Sequence, residues 1–298
     1  MAAGIERWSA FLPLNHALTY LRVYGWQGYI SRGTIRTVPG KDTDIAIDRL
    51  LDGFRGNRWF IDQYWPENSR RVLMMLSDAK ARLSPQSSKV LDIGCGNGYI
   101  SSLFAMHDFK VTATDSWALQ ERDAMFNAQG IEYFESNLND PQPFKNIADE
   151  SFQLVLLGEV FEHVLNHPLG LLREIHRILS RGGILILTTP NLSTLMNAAR
   201  IAFGRYSLWG TRDFIGRPKF AENQIIDAGD IHYREYTADE VVWALNEARF
   251  SVDEVKFMGM GPSKNQPGWK RGIKMIAADT LMRLRPFACT SYIVAVRQ

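Results

Sequence analysis

The stretch KVLDIGCGNGYIS, residues 89–101, decides the fold. An apolar run typical of a buried strand ends there in three glycines within five positions, and a helical pattern follows. Glycines let the backbone of such a turn approach a ligand closely, because they lack a Cβ and readily adopt positive φ. The stretch therefore predicts the first strand, turn and helix of an α/β ligand-binding domain.

Strand-like and helix-like segments alternate from this stretch onwards. Continuous apolar strands separated by helices indicate a parallel sheet covered on both faces. We therefore predict a doubly wound, mostly parallel, seven-stranded α/β sheet. Its strands are expected at 89–94, 110–115, 131–136, 152–157, 184–189, 251–258 and 291–297. Its helices are expected at 98–108, at 116–130 with Gly130 just past the end, and at 167–183 with Gly182 and Gly183 as the stop.

The composition is that of an ordinary globular chain. Its 298 residues, 46% hydrophobic and 22% charged, suit one large domain with additions or two small domains. The two cysteines, Cys95 and Cys289, are too few for a disulfide framework and too isolated for a zinc site. No apolar run approaches the ~20 residues of a membrane span, and no signal peptide is recognisable. We expect a cytoplasmic chain.

The glycine turn discriminates between two kinds of ligand. A dinucleotide site uses G-x-G-x-x-G, but Gly94, Gly96 and Gly98 place the third glycine one position early. Asp92, just before the turn, would put a carboxylate where a pyrophosphate has to bind, and Coulomb repulsion opposes that. S-adenosylmethionine fits better, because it carries an ammonium and a sulfonium but no phosphate. A nicotinamide-dependent oxidoreductase is the alternative.

A second acid supports this cofactor. Asp115 ends the next predicted strand, 23 residues after Asp92. That is close to the spacing of about 20 residues at which an acidic side chain accepts hydrogen bonds from ribose hydroxyls. The other interpretation is that Asp115 or Ser116 caps the following helix.

Five motifs together resemble a known family. They are VLDIGCGNGYIS (90–101), TATDSW (112–117), SFQLVLLGEVFEHV (151–164), REIHRILSRGGILILTTPN (173–191) and HYREYTADEVVWAL (232–245). They are similar to those of class I S-adenosylmethionine-dependent methyltransferases, which have a Rossmann-like fold. The most similar subgroup includes the ubiquinone-pathway O-methyltransferases and enzymes that modify glycans, lipids and secondary metabolites. The resemblance covers residues 89 to about 259 and leaves the acceptor open.

The resemblance also implies a cofactor site. The methionine end of the cofactor would lie against Asp92, Gly94, Gly96 and Gly98, with Arg71 near its carboxylate. The ribose would bind Asp115, and the adenine would lie beside Ser116 or Trp117 and near Asn137 and Leu138. Asn137 replaces the aspartate more usual there, although its amide oxygen also accepts a hydrogen bond from an amine. Gly158 and Glu159 would lie near the sulfonium.

Two histidines are candidates for catalysis. His163 is a candidate general base because an unperturbed imidazole titrates near pH 6.5, and its structural alternative is packing or capping of a short helix. His232 lies with Tyr233 and Arg234 in a loop before a helix that Thr237 and Glu240 open as a capping box. In that loop Tyr236 is either a ligand contact or a hydrophobic staple. We expect no catalytic metal, although Glu159, Glu162 and His163 are available for recruitment.

An extension precedes the predicted catalytic domain of residues 89–298, and insertions interrupt it. Residues 1–88 are expected to form a helical extension, and residues 191–236 a substrate lid. Arginines and aromatic residues alternate in the lid, a pattern that suits binding of a sugar, a quinone-like ring or a phosphate-bearing carrier. The same pattern is equally compatible with a solvated lid that has its own small core. A pI of about 8.5 and the lack of a recognised RNA-binding module make nucleic acid an unlikely partner.

The insertion 262–290 carries a basic amphipathic pattern. Apolar residues recur there at helical spacing and would form one face of a helix: Trp269, Ile273, Ile276, Ala277, Leu281 and Leu284. The basic residues lie largely outside that face: Lys270, Arg271, Lys274 and Arg285. Such a helix either packs on protein or lies in a membrane interface. The basic, aromatic amino-terminal region favours peripheral attachment to the cytoplasmic face of a membrane.

The sequence thus predicts an S-adenosylmethionine-dependent methyltransferase that methylates an oxygen of a small-molecule, sugar or lipid-linked acceptor. A noncatalytic S-adenosylmethionine-binding or scaffold protein is the alternative from another class. The sequence does not set the oligomeric state.

Overall fold

The computed structural model describes residues 41–117, 119–205, 220–221, 224–225, 231–261 and 283–298. Predictions for the amino-terminal 40 residues, for most of the lid and for Trp269 to Leu281 lie outside these ranges. In the described ranges, no helix combines the length and the apolar character needed to cross a bilayer.

The described part of the amino-terminal extension is helical. Helix α1 spans Lys41–Gly53, a π-helical turn spans Phe60–Tyr64, helix α2 spans Trp65–Arg82 and a 3₁₀ turn spans Pro85–Ser87. Proline near the start suits α2, because the first helical N–H groups have no partner within the helix. Helix α2 buries one face and brings Arg71 towards the sheet.

A seven-stranded sheet in the order β3-β2-β1-β4-β5-β9-β8 forms the catalytic domain. Its strands are β1 (Lys89–Ile93), β2 (Lys110–Asp115), β3 (Glu132–Glu135), β4 (Phe152–Gly158), β5 (Leu179–Pro190), β8 (Phe250–Met258) and β9 (Thr290–Arg297). Only β9 runs antiparallel to its neighbours. The predicted fold is confirmed.

The remaining elements connect these strands. The helices are α3 (Tyr99–Ala105), α4 (Gln120–Gln129), α5 (Pro168–Ile178), α6 (Leu195–Ala202) and α7 (Ala238–Glu247), with a 3₁₀ turn at Phe161–His163. Two short strands, β6 (Phe220–Ala221) and β7 (Gln224–Ile225), pair with each other. The predicted capping box of Thr237 and Glu240 opens α7.

Both faces of the sheet are buried, which explains its continuous apolar strands. In β4, Leu154 and Leu156 belong to one hydrophobic cluster, while Val155 and Leu157 belong to the other. Because successive side chains of a strand point to opposite faces, a strand covered on both faces needs apolar residues at every position.

The helix predicted for 167–183 is shorter than expected. It ends at Ile178, and the chain enters β5 at Leu179 rather than stopping at Gly182 and Gly183. Leu179 is fully buried and pairs with Phe152, so core packing extends the strand to this residue. Gly182 has a φ of +73° and instead allows the chain to turn within the β5 segment.

The two ends of the predicted lid meet beside the sheet. Asn191 forms an isolated parallel bridge with Tyr236, and the Leu192 N–H donates to the Tyr236 carbonyl at 3.0 Å. The Asn191 amide also donates to the carbonyls of Arg285 and Ala288. This asparagine therefore joins the end of β5 to residues 285–288.

Candidate active site

The glycine turn lies at the carboxyl end of β1. Gly94, Gly96 and Gly98 all have positive φ, between 53° and 82°. The N–H groups of Gly94 and Cys95 donate to the Thr114 carbonyl at 2.8 and 3.1 Å, which anchors the turn to β2. A Cβ at Gly94 would overlap Val160, and one at Gly98 would overlap the Phe126 ring. Conformation and close packing both require glycine at these two positions.

Asp115 connects this turn to the end of β2. One of its carboxylate oxygens accepts the Gly96 N–H and the other the Ser116 N–H, both at 2.7 Å. Each oxygen has a second lone pair with which it can accept from a ligand. Helix α4 begins at Gln120 after Leu119, so the alternative interpretation, in which Asp115 or Ser116 caps this helix, is wrong.

Asp92 is buried beneath the turn. Its carboxylate accepts a hydrogen bond of 2.6 Å from the Ser101 hydroxyl. The pKa of Asp92 is raised to about 7, mainly by burial and also by the charge of Asp115, although the Ser101 hydrogen bond and the charge of Arg71 act to lower it. A cation bound here would favour the ionised carboxylate.

Arg122 secures the turn from α4, a role that was not predicted from the sequence. Its guanidinium donates to the carbonyls of Gly96 and Trp117 at 3.2 and 3.0 Å, and lies 3.9 Å from the centre of the Tyr133 ring. Arg122 therefore joins the two loops that the resemblance assigns to the cofactor. Its position in an ordinary charged helix gave no signal of this role.

The loop after β3 has a defined conformation at the predicted adenine contact. Asn137 is exposed, and its side-chain oxygen accepts the Asn139 N–H at 3.0 Å. Leu138 is half-buried and packs on the core. Asn139, which was not among the predicted site residues, is buried, and its side-chain oxygen accepts hydrogen bonds from the N–H groups of Leu165 and Asn166. The loops after β3 and β4 are thereby joined.

Arg71 reaches the end of β5 from α2. Its guanidinium donates to the Thr188 hydroxyl at 3.3 Å, the Asn68 side chain at 3.2 Å and the Tyr64 hydroxyl at 3.4 Å. Its buried Nε has no hydrogen-bond partner in the described part of the chain. Burial opposes the charge, but Tyr64, Glu159 and Glu162 together raise the pKa of Arg71. A carboxylate ligand would suit this arrangement.

Gly158 is the last residue of β4 and lies beside Arg71, and Glu159 follows the strand. A Cβ at Gly158 would lie 3.0 Å from Nη1 of Arg71, so the small residue keeps that space open. Glu159 has a φ of +58°, and its N–H donates to the Thr188 carbonyl at 2.8 Å. Non-glycine residues at such angles are uncommon and cluster at functional sites.

His163 and His232 converge on Glu162. The Nε2 atom of each histidine lies 4.0 Å from Oε1 of Glu162, and the two rings meet edge to face with centroids 5.0 Å apart. The N–H groups of Tyr233 and Arg234 both donate to the Glu162 carbonyl, which holds the His232 loop against the 3₁₀ turn. Tyr236 instead packs on Phe161 in the core.

The structure thus brings the predicted residues to one edge of the sheet. Asp92 and the three glycines lie at β1, Asp115 and Ser116 at β2, and Asn137 and Leu138 after β3. Gly158, Glu159 and His163 lie at or after β4, and Arg71 and His232 approach from neighbouring segments. Two acids, and an arginine whose buried Nε has no partner among the described residues, fit a cofactor that carries an ammonium and a carboxylate.

Comparison with known proteins identifies the family. The family described as "Methyltransferase domain" matches residues 67–255. Because this range is more than half of the chain, the chain belongs to that family.

Relatives and solved structures agree with this assignment. The "Ubiquinone biosynthesis O-methyltransferase" of Xanthomonas oryzae pv. oryzae (strain PXO99A) is 28% identical over 225 residues, which cover 72% of this chain and 86% of the relative. A Burkholderia thailandensis 1,6-didemethyltoxoflavin-N1-methyltransferase with bound S-adenosylhomocysteine superposes with a TM-score of 0.51 at 16% identity, over 85% of this chain and 87% of that one. A chain from the complex between the Haloferax volcanii Trm112 methyltransferase activator and a methyltransferase superposes with a TM-score of 0.53. The two chains are 17% identical, and the match covers 86% of this chain and 96% of that one.

The class of the protein follows from these findings. It is a class I S-adenosylmethionine-dependent methyltransferase with S-adenosylmethionine as its cofactor. The prediction of family, fold, enzyme class and cofactor is confirmed, and the nicotinamide-dependent alternative is wrong.

Asp115→Ala tests the predicted ribose contact. We expect S-adenosylmethionine to bind about 1.5–3 kcal/mol more weakly, the range for a hydrogen bond to a charged group. Titration calorimetry measures this, and thermal melting checks that loss of the Gly96 bond has not unfolded the turn. Glu132→Ala, which removes an exposed acid from the opposite end of β3, is the control. Unchanged affinity in Asp115→Ala would contradict the assignment.

Proposed function

We propose that this enzyme transfers the methyl group of S-adenosylmethionine to a hydroxyl oxygen of a small or lipid-linked acceptor. One observation carries the proposal: Glu162, His163 and His232 form a polar cluster next to Gly158 and Glu159, where the resemblance implies the sulfonium. Imidazole and carboxylate groups handle the proton of a hydroxyl nucleophile. The similarity to ubiquinone biosynthesis O-methyltransferases supports an oxygen acceptor.

The binding residues have distinct proposed roles. Asp92 and the glycine turn hold the cationic methionine end, and Arg71 binds the methionine carboxylate. Asp115 holds the ribose, while Ser116, Asn137 and Leu138 surround the adenine. These residues would hold the cofactor along the carboxyl edge of the sheet, and the histidines lie after β4 at the same edge.

The reaction depends more on the alignment of the reacting atoms than on acid–base catalysis. Methyl transfer is an in-line displacement: the acceptor oxygen bonds to the methyl carbon while the carbon–sulfur bond breaks and its electron pair passes to sulfur. Holding the three reacting atoms in line accounts for much of the rate enhancement of such a step. The acceptor hydroxyl also loses its proton, and we assign its uptake to His163 or His232, which lie together after β4.

His163→Ala tests the catalytic part of this proposal. With methyl-labelled S-adenosylmethionine and fractionated cell extract as the acceptor source, we expect turnover to fall about a hundredfold or more, because a group that handles the acceptor proton is lost. Cofactor affinity, measured by calorimetry, should stay unchanged.

A nearby histidine supplies the matched control. His167 is exposed and lies outside the cluster, so His167→Ala should retain full turnover. Equal losses in both variants, or a loss in His163→Ala that tracks a lower melting temperature, would support a structural role for His163 instead. No label transfer to any fraction by the unmodified enzyme would favour the noncatalytic alternative.

We further propose that the enzyme attaches peripherally to anionic membranes. Helix α6 exposes Leu195, Met196 and Ile201, and Phe203 just after it is 82% exposed. Leu284 and Phe287 are also exposed, and the N–H of Leu195 donates to the Pro286 carbonyl at 2.8 Å, so the two groups adjoin. Exposed Arg200, Arg205 and Arg283 accompany them. Apolar side chains among arginines suit an anionic lipid surface and an acceptor held in it.

Vesicle sedimentation tests this attachment. The double variant Met196→Ser with Phe203→Ser should bind anionic vesicles at least about tenfold more weakly, because two apolar side chains no longer enter the bilayer. High salt should weaken binding as well. Ile45→Ser, which removes an equally apolar exposed residue from α1, should bind normally. Binding that is unaffected by both the double variant and salt would refute the proposal.

A further inference from the structure

We propose that a cleft at the amino edge of the sheet, opposite the glycine turn, binds the phosphate group of a soluble ligand. The cleft has a volume of about 500 Å³ and is lined by Arg173, His176, Glu247, Ala248 and Arg249. Small-molecule sites typically enclose roughly 300–1,000 Å³. None of these residues belongs to the proposed cofactor or acceptor sites, so the cleft stands apart from the proposed function.

The ends of two helices and two strands place the cleft at this edge. Arg173 and His176 lie in the last two turns of α5, which leads into the amino end of β5 at Leu179. Arg249 follows α7 and directly precedes β8. Because β5 and β8 both run antiparallel to β9, they are parallel to each other and begin at the same edge. The cleft therefore lies across the sheet from the glycine turn and Asp115.

Two guanidinium groups are available to a ligand in the cleft. Arg173 and Arg249 are both exposed, and neither forms an ion pair or a side-chain hydrogen bond with any residue that the structure describes. By contrast, Arg177 on the same helix as Arg173 pairs with Glu174 at 2.9 Å. A guanidinium presents a planar set of N–H donors that matches a phosphate, so two of them at one cleft suit that group.

The backbone at Arg249 is an independent observation that points to a role for its side chain. Its φ is +68°, in the left-handed region, just past the end of α7. Glycine is the residue that most often occupies this position, because it adopts positive φ without steric cost. An arginine with a strained backbone, and with no side-chain partner in the described ranges, favours a ligand from outside the chain.

The local charges favour an anion. The pKa of His176 is lowered, first by burial and then by the positive charges of Arg297 and Arg249. The His176 ring meets the Phe250 ring edge to face, with centroids 5.2 Å apart, so it forms an ordered wall of the cleft. Glu247 also lines the cleft, and its exposed carboxylate would oppose a bound phosphate. Arginines nonetheless outnumber this acid, with two in the cleft and one acting on His176.

The position of the cleft decides between two sources of phosphate. The exposed apolar side chains proposed to enter a membrane lie on α6, which follows β5, and near Phe287, which precedes β9. Both groups lie at the carboxyl edge, because β5 ends there and the antiparallel β9 begins there. A phospholipid headgroup in the cleft would require a membrane at the opposite edge, so a soluble ligand is the better match.

The helix ends supply another reason for cations at this edge. Helices α5 and α7 both end here, and positive side chains stabilise the carboxyl ends of helices. Arg249→Gly separates this structural role from phosphate binding. Glycine relieves the strained backbone, so the melting temperature should stay the same or rise, while a guanidinium that binds phosphate is lost.

Titration calorimetry with inorganic pyrophosphate is the test, on the full-length protein saturated with S-adenosylmethionine so that the cofactor site is occupied. Arg173→Gln and Arg249→Gly should each bind pyrophosphate about tenfold more weakly, because each loses a charged donor. Glu247→Gln should bind it about fivefold more tightly, because a repelling charge is removed. Arg181→Gln removes an exposed arginine of the same edge from outside the cleft, and should bind like the unmodified protein.

Melting curves of the same samples identify a variant that fails to fold. A folded protein that binds no pyrophosphate overturns the site, as does an affinity that is equal in Arg173→Gln, Arg249→Gly and the unmodified protein. Sedimentation with vesicles that contain phosphatidic acid tests the source of the phosphate, and Arg249→Gly should bind these vesicles normally. A parallel loss of vesicle and pyrophosphate binding in that variant would overturn the assignment to a soluble ligand and favour a headgroup.

Discussion

The hydrogen bond from the Gly96 N–H to the Asp115 carboxylate is the contact on which the rest of the site depends. At 2.7 Å it holds the glycine turn after β1 against the end of β2. Asp92 lies buried below the turn, and Arg122 secures it from the other side through the Gly96 carbonyl. Two carboxylates at the ligand edge of a doubly wound sheet oppose a phosphate-bearing cofactor and favour a cationic one, in agreement with the methyltransferase family match.

A second polar region continues along the same edge. Arg71, Glu159 and Glu162 interact electrostatically at the ends of β4 and β5, and the backbone bonds to Glu162 bring His232 beside His163. In the proposed function, the first region would bind the cofactor, and the second would offer groups that interact with a carboxylate, a proton or a cation. Their adjacency along one edge is the geometric basis for proposing methyl transfer to an acceptor near the histidines.

Local patterns in the sequence were sufficient for much of this organisation. The glycine turn, Asp115 and the capping box of Thr237 and Glu240 depend on neighbouring residues, and the structure has them where the sequence predicted. The end of α5 was missed because burial of Leu179 against Phe152, a contact between distant residues, overrides the local stop signal of two glycines. Arg122 was missed for a similar reason, since its partners lie in other loops. The cluster of Glu162, His163 and His232 joins segments almost seventy residues apart, a separation at which no ligand spacing is visible.

Calorimetric titration of S-adenosylmethionine between pH 5.5 and 8 tests most directly that a buried carboxylate receives the cationic end of the cofactor. With Ser101, Asp115 and Arg71 around it, the free Asp92 has a pKa of about 7, so below that pH it has to lose its proton before it pairs with a cation. We predict an affinity that rises by up to about tenfold per pH unit below 7 and levels off above it, with release of up to one proton per cofactor. Asp92→Asn should abolish this pH dependence. An affinity independent of pH in the unmodified enzyme, or an unchanged pH dependence in Asp92→Asn, would contradict the account.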